Sequence, residues 1–234
     1  MQKHKIDRNR TICAQKPLFP FLIDMALLTK KGCSMYYKIL CWKSGLNSSL
    51  MKWETKWHLE LNLIFSADFW AKSRKLCSDI PYDNRIRWLQ HQIIRNSLPT
   101  NVIVSHFRNV SKLCDFCAME DELVSHLFWS CNVVQVFIAK VKSFLLSLNI
   151  DFNPSKISFL FGKHDLSSLH PQNYLCLLVK RFIWTSKFKF KRLNLSGFKG
   201  ILKTVVVDII YLLKLKDKDK LLDLWINISN TLQQ

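Results

Sequence analysis

Cys114-Asp115-Phe116-Cys117-Ala118-Met119-Glu120-Asp121-Glu122-Leu123-Val124-Ser125-His126-Leu127-Phe128-Trp129-Ser130-Cys131 decides how the chain is read, because four soft metal ligands fall in it at the spacing Cys-x2-Cys-x8-His-x4-Cys. A Cys-x2-Cys pair lets one tight turn present two thiolates to a tetrahedral ion, and a His and a Cys from the next element close the shell. Cys114, Cys117, His126 and Cys131 therefore predict one structural Zn2+ ion, with three sulfurs, one nitrogen and no position left for a catalytic water. Leu123, Leu127 and Phe128 put apolar mass beside His126 and predict a short helix over the metal. Cys131, five residues after His126, cannot share a straight helical face with it, so that helix is expected to end or bend near Ser130 and Asn132. Glu120, Asp121 and Glu122 read as a polar tip between the two ligand pairs, without a cleft that would make them catalytic.

Outward from this module the pattern is helical. On the N-terminal side, Met35, Tyr36, Ile39 and Leu40 suggest a short helix from Ser34 to Lys43, and a Gly, Ser and Asn-rich loop spans 44 to 52. The stretch with Trp53, Trp57 and Trp70 predicts two helices with Asn62 between them. Pro81 and Asp83 open a helix to about Ser97, with Ile86, Leu89 and Ile93 on one face and Arg87, His91 and Arg95 on another. Leu98-Pro99-Thr100 ends it. On the C-terminal side, Val134, Phe137, Ile138, Val141, Phe144, Leu145 and Leu148 mark an amphipathic helix, and Asn153-Pro154 a loop. Pro171 begins another helix through Val179 and Phe182. Phe198, Leu202, Val205, Ile209 and Leu212 form a last stripe, and Lys216 to Lys220 reads as a solvated face or loop. The expected fold is mostly α: a helical scaffold with a small Cys-Cys-His-Cys zinc module inserted between helices. Its expected parts are a linker or severed edge (1–33), a helical Trp-rich region (34–110), the zinc module (111–133) and a basic helical region (134–234).

Composition narrows the function. Hydrophobic residues make up 49% of the 234 residues, enough for a core, while five Gly and six Pro disfavour a sandwich of many short strands. Lys and Arg number 35 against 17 Asp and Glu, for a net charge of +18, which attracts polyanions. RNA or DNA is therefore the expected partner. No run reaches the roughly 20 apolar residues of a membrane span, so no membrane partner is expected. The N-terminus lacks a secretory signal pattern, which predicts reduced thiols and a nuclear or cytosolic setting. Cys13, Cys33, Cys41, Cys77 and Cys176 then read as core or free thiols.

Two basic faces are the candidate nucleic-acid contacts. Arg87, His91 and Arg95 form the first, with Trp88 at its edge. Lys180, Trp184, Lys187 and Lys191 form the second, within one narrow helical arc, with Arg181, Lys189 and Arg192 as further basic neighbours. Cations neutralise phosphates and an interleaved ring can stack on a base. The alternation Phe188-Lys189-Phe190-Lys191 leaves a strand open for that end. A protein-interaction or purely structural module is the alternative, with the tryptophans from Trp42 to Trp70 serving a partner surface instead of bases.

The residues also carry a resemblance. Trp88 to Asn101 (Trp-Leu-Gln-His-Gln-Ile-Ile-Arg-Asn-Ser-Leu-Pro-Thr-Asn) resembles the region before the zinc module of LINE-type (non-long-terminal-repeat) retrotransposon polyproteins. The module with Glu122, Ser125, His126-Leu127-Phe128-Trp129 and Cys131 resembles that family's reverse-transcriptase-associated zinc-binding domain. Lys52-Trp53-Glu54 and Ile183-Trp184 with Lys187 are similar to flanking segments, so the likeness spans about residues 30 to 213. Ser130 and Ile138 depart from the family pattern. The resemblance implies a segment that follows a polymerase and helps hold RNA template and DNA target, with the polymerase part of a related polyprotein as a further partner. No adjacent Asp-Asp pair, P-loop or His-Glu-x-x-His occurs, so no enzymatic activity is expected.

Overall fold

Helix is the only extended regular structure among the described residues, 52–80, 83–189, 192–215 and 219–233 of the computed structural model. In chain order the helices are α1 (Lys52–Leu61), α2 (Ala67–Ser78), α3 (Asn84–Ile94), α4 (Asn101–Val104), α5 (Asn132–Ser147), α6 (Lys156–Phe161), α7 (Pro171–Lys189), α8 (Leu195–Leu215) and α9 (Asp219–Gln233). A π-helical turn, His126–Ser130, precedes α5. The helix and loop expected over residues 34 to 52 lie outside the described residues, apart from Lys52 at the start of α1.

The helix boundaries follow local chemistry. Asn62 lies between α1 and α2, as expected, and takes the left-handed conformation there (φ +52). Ser66 caps α2 by accepting from the Phe69 N–H at 3.1 Å. Asp83 caps α3 through the N–H groups of Arg85 and Ile86. That helix stops at Ile94 instead of near Ser97, because Asn96 turns left-handed (φ +45). The Phe188-Lys189 alternation stays helical to the end of α7. In α8 the buried stripe is Phe198, Leu202, Val206, Ile209 and Leu213, so Phe198, Leu202 and Ile209 are as expected while Val206 and Leu213 take the places expected for Val205 and Leu212. The short helices α4 and α6 and the helix α9 fall within the regions expected to be helical.

Packing places α7 at the centre. It touches α3, α6 and α8; α2 pairs with α3, and α9 with α8. Trp53, Trp57 and Trp70 go to the core beside Phe65, Phe69 and Phe161, with Trp53 edge-on to Trp70 at 4.9 Å and Trp57 edge-on to Phe161 at 5.0 Å. Such edge-to-face pairs add about 0.5–1.5 kcal/mol each beyond the area they bury. These three rings are thus not a partner surface; Trp42 lies outside the described residues. Trp57 donates its indole N–H to Ile94 O at 2.9 Å, tying α1 to the end of α3.

Lys180 is 1% exposed. Its ammonium donates to Gln90 Oε1 and, at 3.1 Å, to Leu160 O, while Gln90 Nε2 donates to the same carbonyl at 2.9 Å. The three residues join α7, α3 and the α6 segment. Lys180 is therefore not the surface cation that its arc suggested: its charge is used inside the molecule. Burial pushes its pKa from 10.5 down to about 8. Between those values the unfolded chain binds a proton that the folded chain lacks, so Lys180 costs stability as pH falls and that cost fades as pH rises. Urea unfolding over a pH series should show wild type gaining on Lys180→Met between about pH 8 and 10.5. Parallel pH profiles for the two proteins would contradict this.

Candidate metal centre

The metal segment begins as a minimal hairpin. Leu113 and Asp121 form an isolated antiparallel bridge, flanked by Cys114 N–H to Glu120 O at 2.9 Å and Glu122 N–H to Lys112 O at 2.8 Å. Inside it the chain turns on the Ala118 N–H, which donates to Cys114 O at 2.8 Å, with Ala118 left-handed at φ +54. The segment then rises into the π-helical turn. A straight α-helix would set His126 and Cys131 about 140° apart. The wider turn, closed by the Cys131 N–H on His126 O at 2.9 Å, brings them to the same side. Cys131 is extended (φ −61, ψ 125) and opens α5. The predicted break between the last two ligands is there, built as a π turn.

The four side chains converge. Their ligand atoms lie within 4.8 Å of one another. Cys114 Sγ to Cys131 Sγ is 3.9 Å, and Cys117 Sγ to His126 Nε2 is 3.4 Å. Bonds of about 2.3 Å to sulfur and about 2.0 Å to nitrogen around a tetrahedral ion give edges of about 3.8 Å and about 3.5 Å. The donor set and its spacing thus fit a four-coordinate, thiolate-rich ion. Cys114, His126 and Cys131 are buried and Cys117 half-buried. Without an ion, the Cys114 thiol is raised by its hydrogen bond to Cys131 and then by burial, while Cys131 is lowered by the same bond. The Glu120 carboxylate sits 3.0 Å from His126 Nδ1, off the direction of an aligned hydrogen bond, and leaves Nε2 to face the sulfurs.

Glu122 is not part of a polar tip. It is 0% exposed, and its carboxylate accepts from the Asn101 N–H at 2.9 Å, the Asp115 N–H at 3.2 Å and the Lys187 ammonium. Lys187, 3% exposed, also meets Asp115 Oδ2 at 3.0 Å and Asn101 Oδ1 at 2.9 Å. Its assignment to a phosphate-binding face is likewise corrected: it locks the hairpin to α7. On the other side Glu60 accepts from the Ser125 N–H and from Asn96 Nδ2, both at 2.6 Å, fixing the approach to His126 from α1. Neither glutamate carries a spacing signal in the sequence.

The remaining basic residues divide. Arg87 Nε donates to Ile80 O at 3.0 Å and its guanidinium is half-buried. His91 stacks on Trp88 at 5.5 Å, and burial, then the charge of Arg95, lowers its pKa, so it is an uncharged ring at neutral pH. Arg95, Lys189 and Arg192 are exposed. Arg181 is ion-paired with Asp83, and half-buried Trp184 packs edge-on against Phe188 at 4.8 Å. Lys191 lies outside the described residues. Arg74 and Arg85, which no sequence pattern singled out, line one groove with Arg87, Trp88 and His91. Elsewhere, Ser73 Oγ lies 2.9 Å from His164 Nε2, but it donates to Phe69 O and is fully buried, so the pair has the contact of a nucleophile and base without the access. No helix among the described residues is long and apolar enough to cross a membrane. Comparison with protein-family models, with curated proteins and with solved structures finds no match for the chain.

Two substitutions probe this arrangement. Ala118→Gly should raise stability by about 0.5–1 kcal/mol, because it relieves a left-handed alanine at an exposed position; a lowered thermal midpoint would contradict it. Lys187→Met should cost about 3–5 kcal/mol by leaving Glu122 buried without its cation. Denaturant unfolding that places the variant within about 1 kcal/mol of wild type would show that the contact contributes no more than a surface ion pair.

Proposed function

We propose that this chain is a zinc-binding, nucleic-acid-binding protein without catalytic activity of its own, akin to the segment that follows the polymerase in LINE-type retrotransposon polyproteins. The observation that carries the nucleic-acid part is where the positive charge lies. Among the described residues only Lys180 and Lys187 are buried lysines or arginines, so the other described cations whose side chains are placed meet solvent in whole or in part. A surface of that sign neutralises phosphates and releases their counterions. The metal is assigned as Zn2+ because three thiolates and an imidazole at tetrahedral spacing suit that ion, and because full coordination gives it a structural role. With the inward lysines removed from the contact set, α3 and the exposed end of α7 supply the cations. RNA, DNA or both are the ligand in this reading, and the compartment is one where thiols stay reduced, nucleus or cytosol.

One feature favours a second reading, a protein-interaction scaffold. Phe107 (84% exposed), Val110, Leu113 and Phe188 line a groove of about 690 Å³ beside the metal hairpin. Apolar surface of this kind suits a protein partner, of which the polymerase part of a related polyprotein is the one the resemblance implies.

Metal analysis of the purified chain should find about one zinc per molecule, retained at neutral pH and lost on acidification as the thiolates are protonated. Anisotropy with labelled oligonucleotides over a salt series should then give a log–log slope near −3.5 for about five phosphate contacts on a single strand. A zinc-loaded, folded sample that binds no nucleic acid at low salt but associates with itself or another protein would replace this reading with the scaffold.

A further inference from the structure

Trp88 stands on a ridge between two grooves. The first, of about 710 Å³, has Arg74, Arg85, Arg87 and His91 in its wall and no carboxylate. The second, of about 700 Å³, lies between α3, α7 and α8 and is lined by Arg85, Trp184 and Lys189, with Asp83 and Asp208. Trp88 and Arg85 line both. The Trp88 ring is 61% exposed, and the near-parallel His91 ring (18° between planes) supports one of its faces. Arg87 is anchored on Ile80 O, and Arg74 is braced over the Trp53 ring at 5.8 Å, so the cations of the first groove start from held positions.

The two grooves differ in charge. In the second, Asp83 neutralises Arg181 and Asp208 offsets Lys189, which leaves it near balance and gives it a half-buried ring, Trp184. The charged residues that line the first are all cations, with Glu54 behind Arg74 at 3.9 Å, so Arg85 and Arg87 carry most of its net charge. A ligand that fits both must present negative charge on one side of a flat π surface and neutral, polar or aromatic matter on the other. Duplex nucleic acid hides its base faces in the stack and offers only phosphates and groove edges. An acidic peptide matches the arginines but has no use for a raised indole. An unpaired nucleotide strand supplies all the parts, since every base has a π face and stacking on an aromatic residue tolerates sequence.

We propose that the two grooves and the Trp88 ridge form a track for single-stranded nucleic acid, with an unpaired base stacked on Trp88, phosphates at Arg74 and Arg85, and the adjoining nucleoside beside Trp184. This rests on the nucleic-acid reading above and assigns it a strand type, a path and contact residues. The second groove carries specificity for the unpaired base, and the first carries the salt dependence.

The test compares the zinc-loaded full chain with Trp88→Ala, Trp88→Phe and the pair Arg74→Gln/Arg85→Gln, by anisotropy on one labelled strand and on the duplex of the same sequence. Thermal midpoint and metal content check that each variant is folded, which the exposure of these side chains favours. Wild type should bind the single strand more tightly than the duplex. Trp88→Ala should weaken single-strand binding on the order of tenfold while Trp88→Phe keeps most of it. The arginine pair should make the single-strand salt slope shallower by about 1.4, at about 0.7 per phosphate. Equal binding of strand and duplex, or single-strand binding by Trp88→Ala at wild-type strength, overturns the track. If wild type binds with a steep salt slope but all variants match it, only the track falls; if wild type binds neither nucleic acid, the function proposed above falls with it.

Discussion

Asn173, Lys180 and Lys187 follow one another at intervals of seven along α7, and all three are buried. Seven residues are nearly two helical turns, so these polar groups lie about 10 Å apart on one inward-facing line. Each meets a different segment, the first two through backbone carbonyls and Lys187 through side-chain oxygens. Asn173 Nδ2 donates to the carbonyls of Lys163, Leu166 and Ser167. Lys180 holds Leu160 O at the end of α6, and Lys187 holds Glu122 and Asp115 of the metal hairpin. A buried ion costs several kcal/mol to desolvate, and only close partners on every donor offset it. The positions of the loops around α7 are therefore set by where this line can be satisfied, and the hairpin that carries two of the four metal ligands is one of those loops.

The same line shows what a sequence can and cannot reveal. The spacing of Lys180 and Lys187 placed them correctly on one helical arc, but period alone does not say which way an arc faces. In most helices apolar residues settle that. In α7 they do not, because Leu175, Leu178, Val179, Phe182 and Ile183 surround the arc and almost the whole helix is enclosed. In α3 and α5, which have one apolar side, the reading held: Ile86, Leu89 and Ile93 are the buried face of α3, and Val134, Phe137, Ile138, Val141 and Leu145 that of α5. The metal ligands were legible for a different reason. Thiolates and imidazole at short fixed spacing have few other uses in reduced protein, whereas a carboxylate such as Glu122 looks in sequence like its exposed neighbours Glu120 and Asp121.

At the centre itself two local costs are accepted together. The π turn from His126 replaces the usual helical bonding, and Ala118 holds a left-handed conformation that alanine disfavours by about 1–2 kcal/mol. Both serve one geometric end. The first aligns ligands five residues apart, and the second bends the chain directly after Cys117 so that its sulfur turns back toward Cys114. The π turn is also packed, with Leu127 and Phe128 fully buried, whereas exposed Ala118 has no local packing to offset its cost. They are consistent with a bonded ion at this point, whose binding free energy is far larger than either cost.

A metal held by all four donors would leave no position for a further ligand. Three of the donors are buried, and the carboxylates nearest to them are turned to His126 and Lys187. An ion held there would fix the short hairpin from a second direction besides the lysine latch, which holds the segment from Asn101 to Cys131 against α7 despite its having little regular structure of its own. In the proposed function, recognition falls to the outer faces of the helices beside it. That division accounts for the placement of the rings: the tryptophans of α1 and α2 are spent on the core, whereas Trp88, on the solvent side of a helix whose opposite face is fully packed, is held rigid by its scaffold and open to a partner.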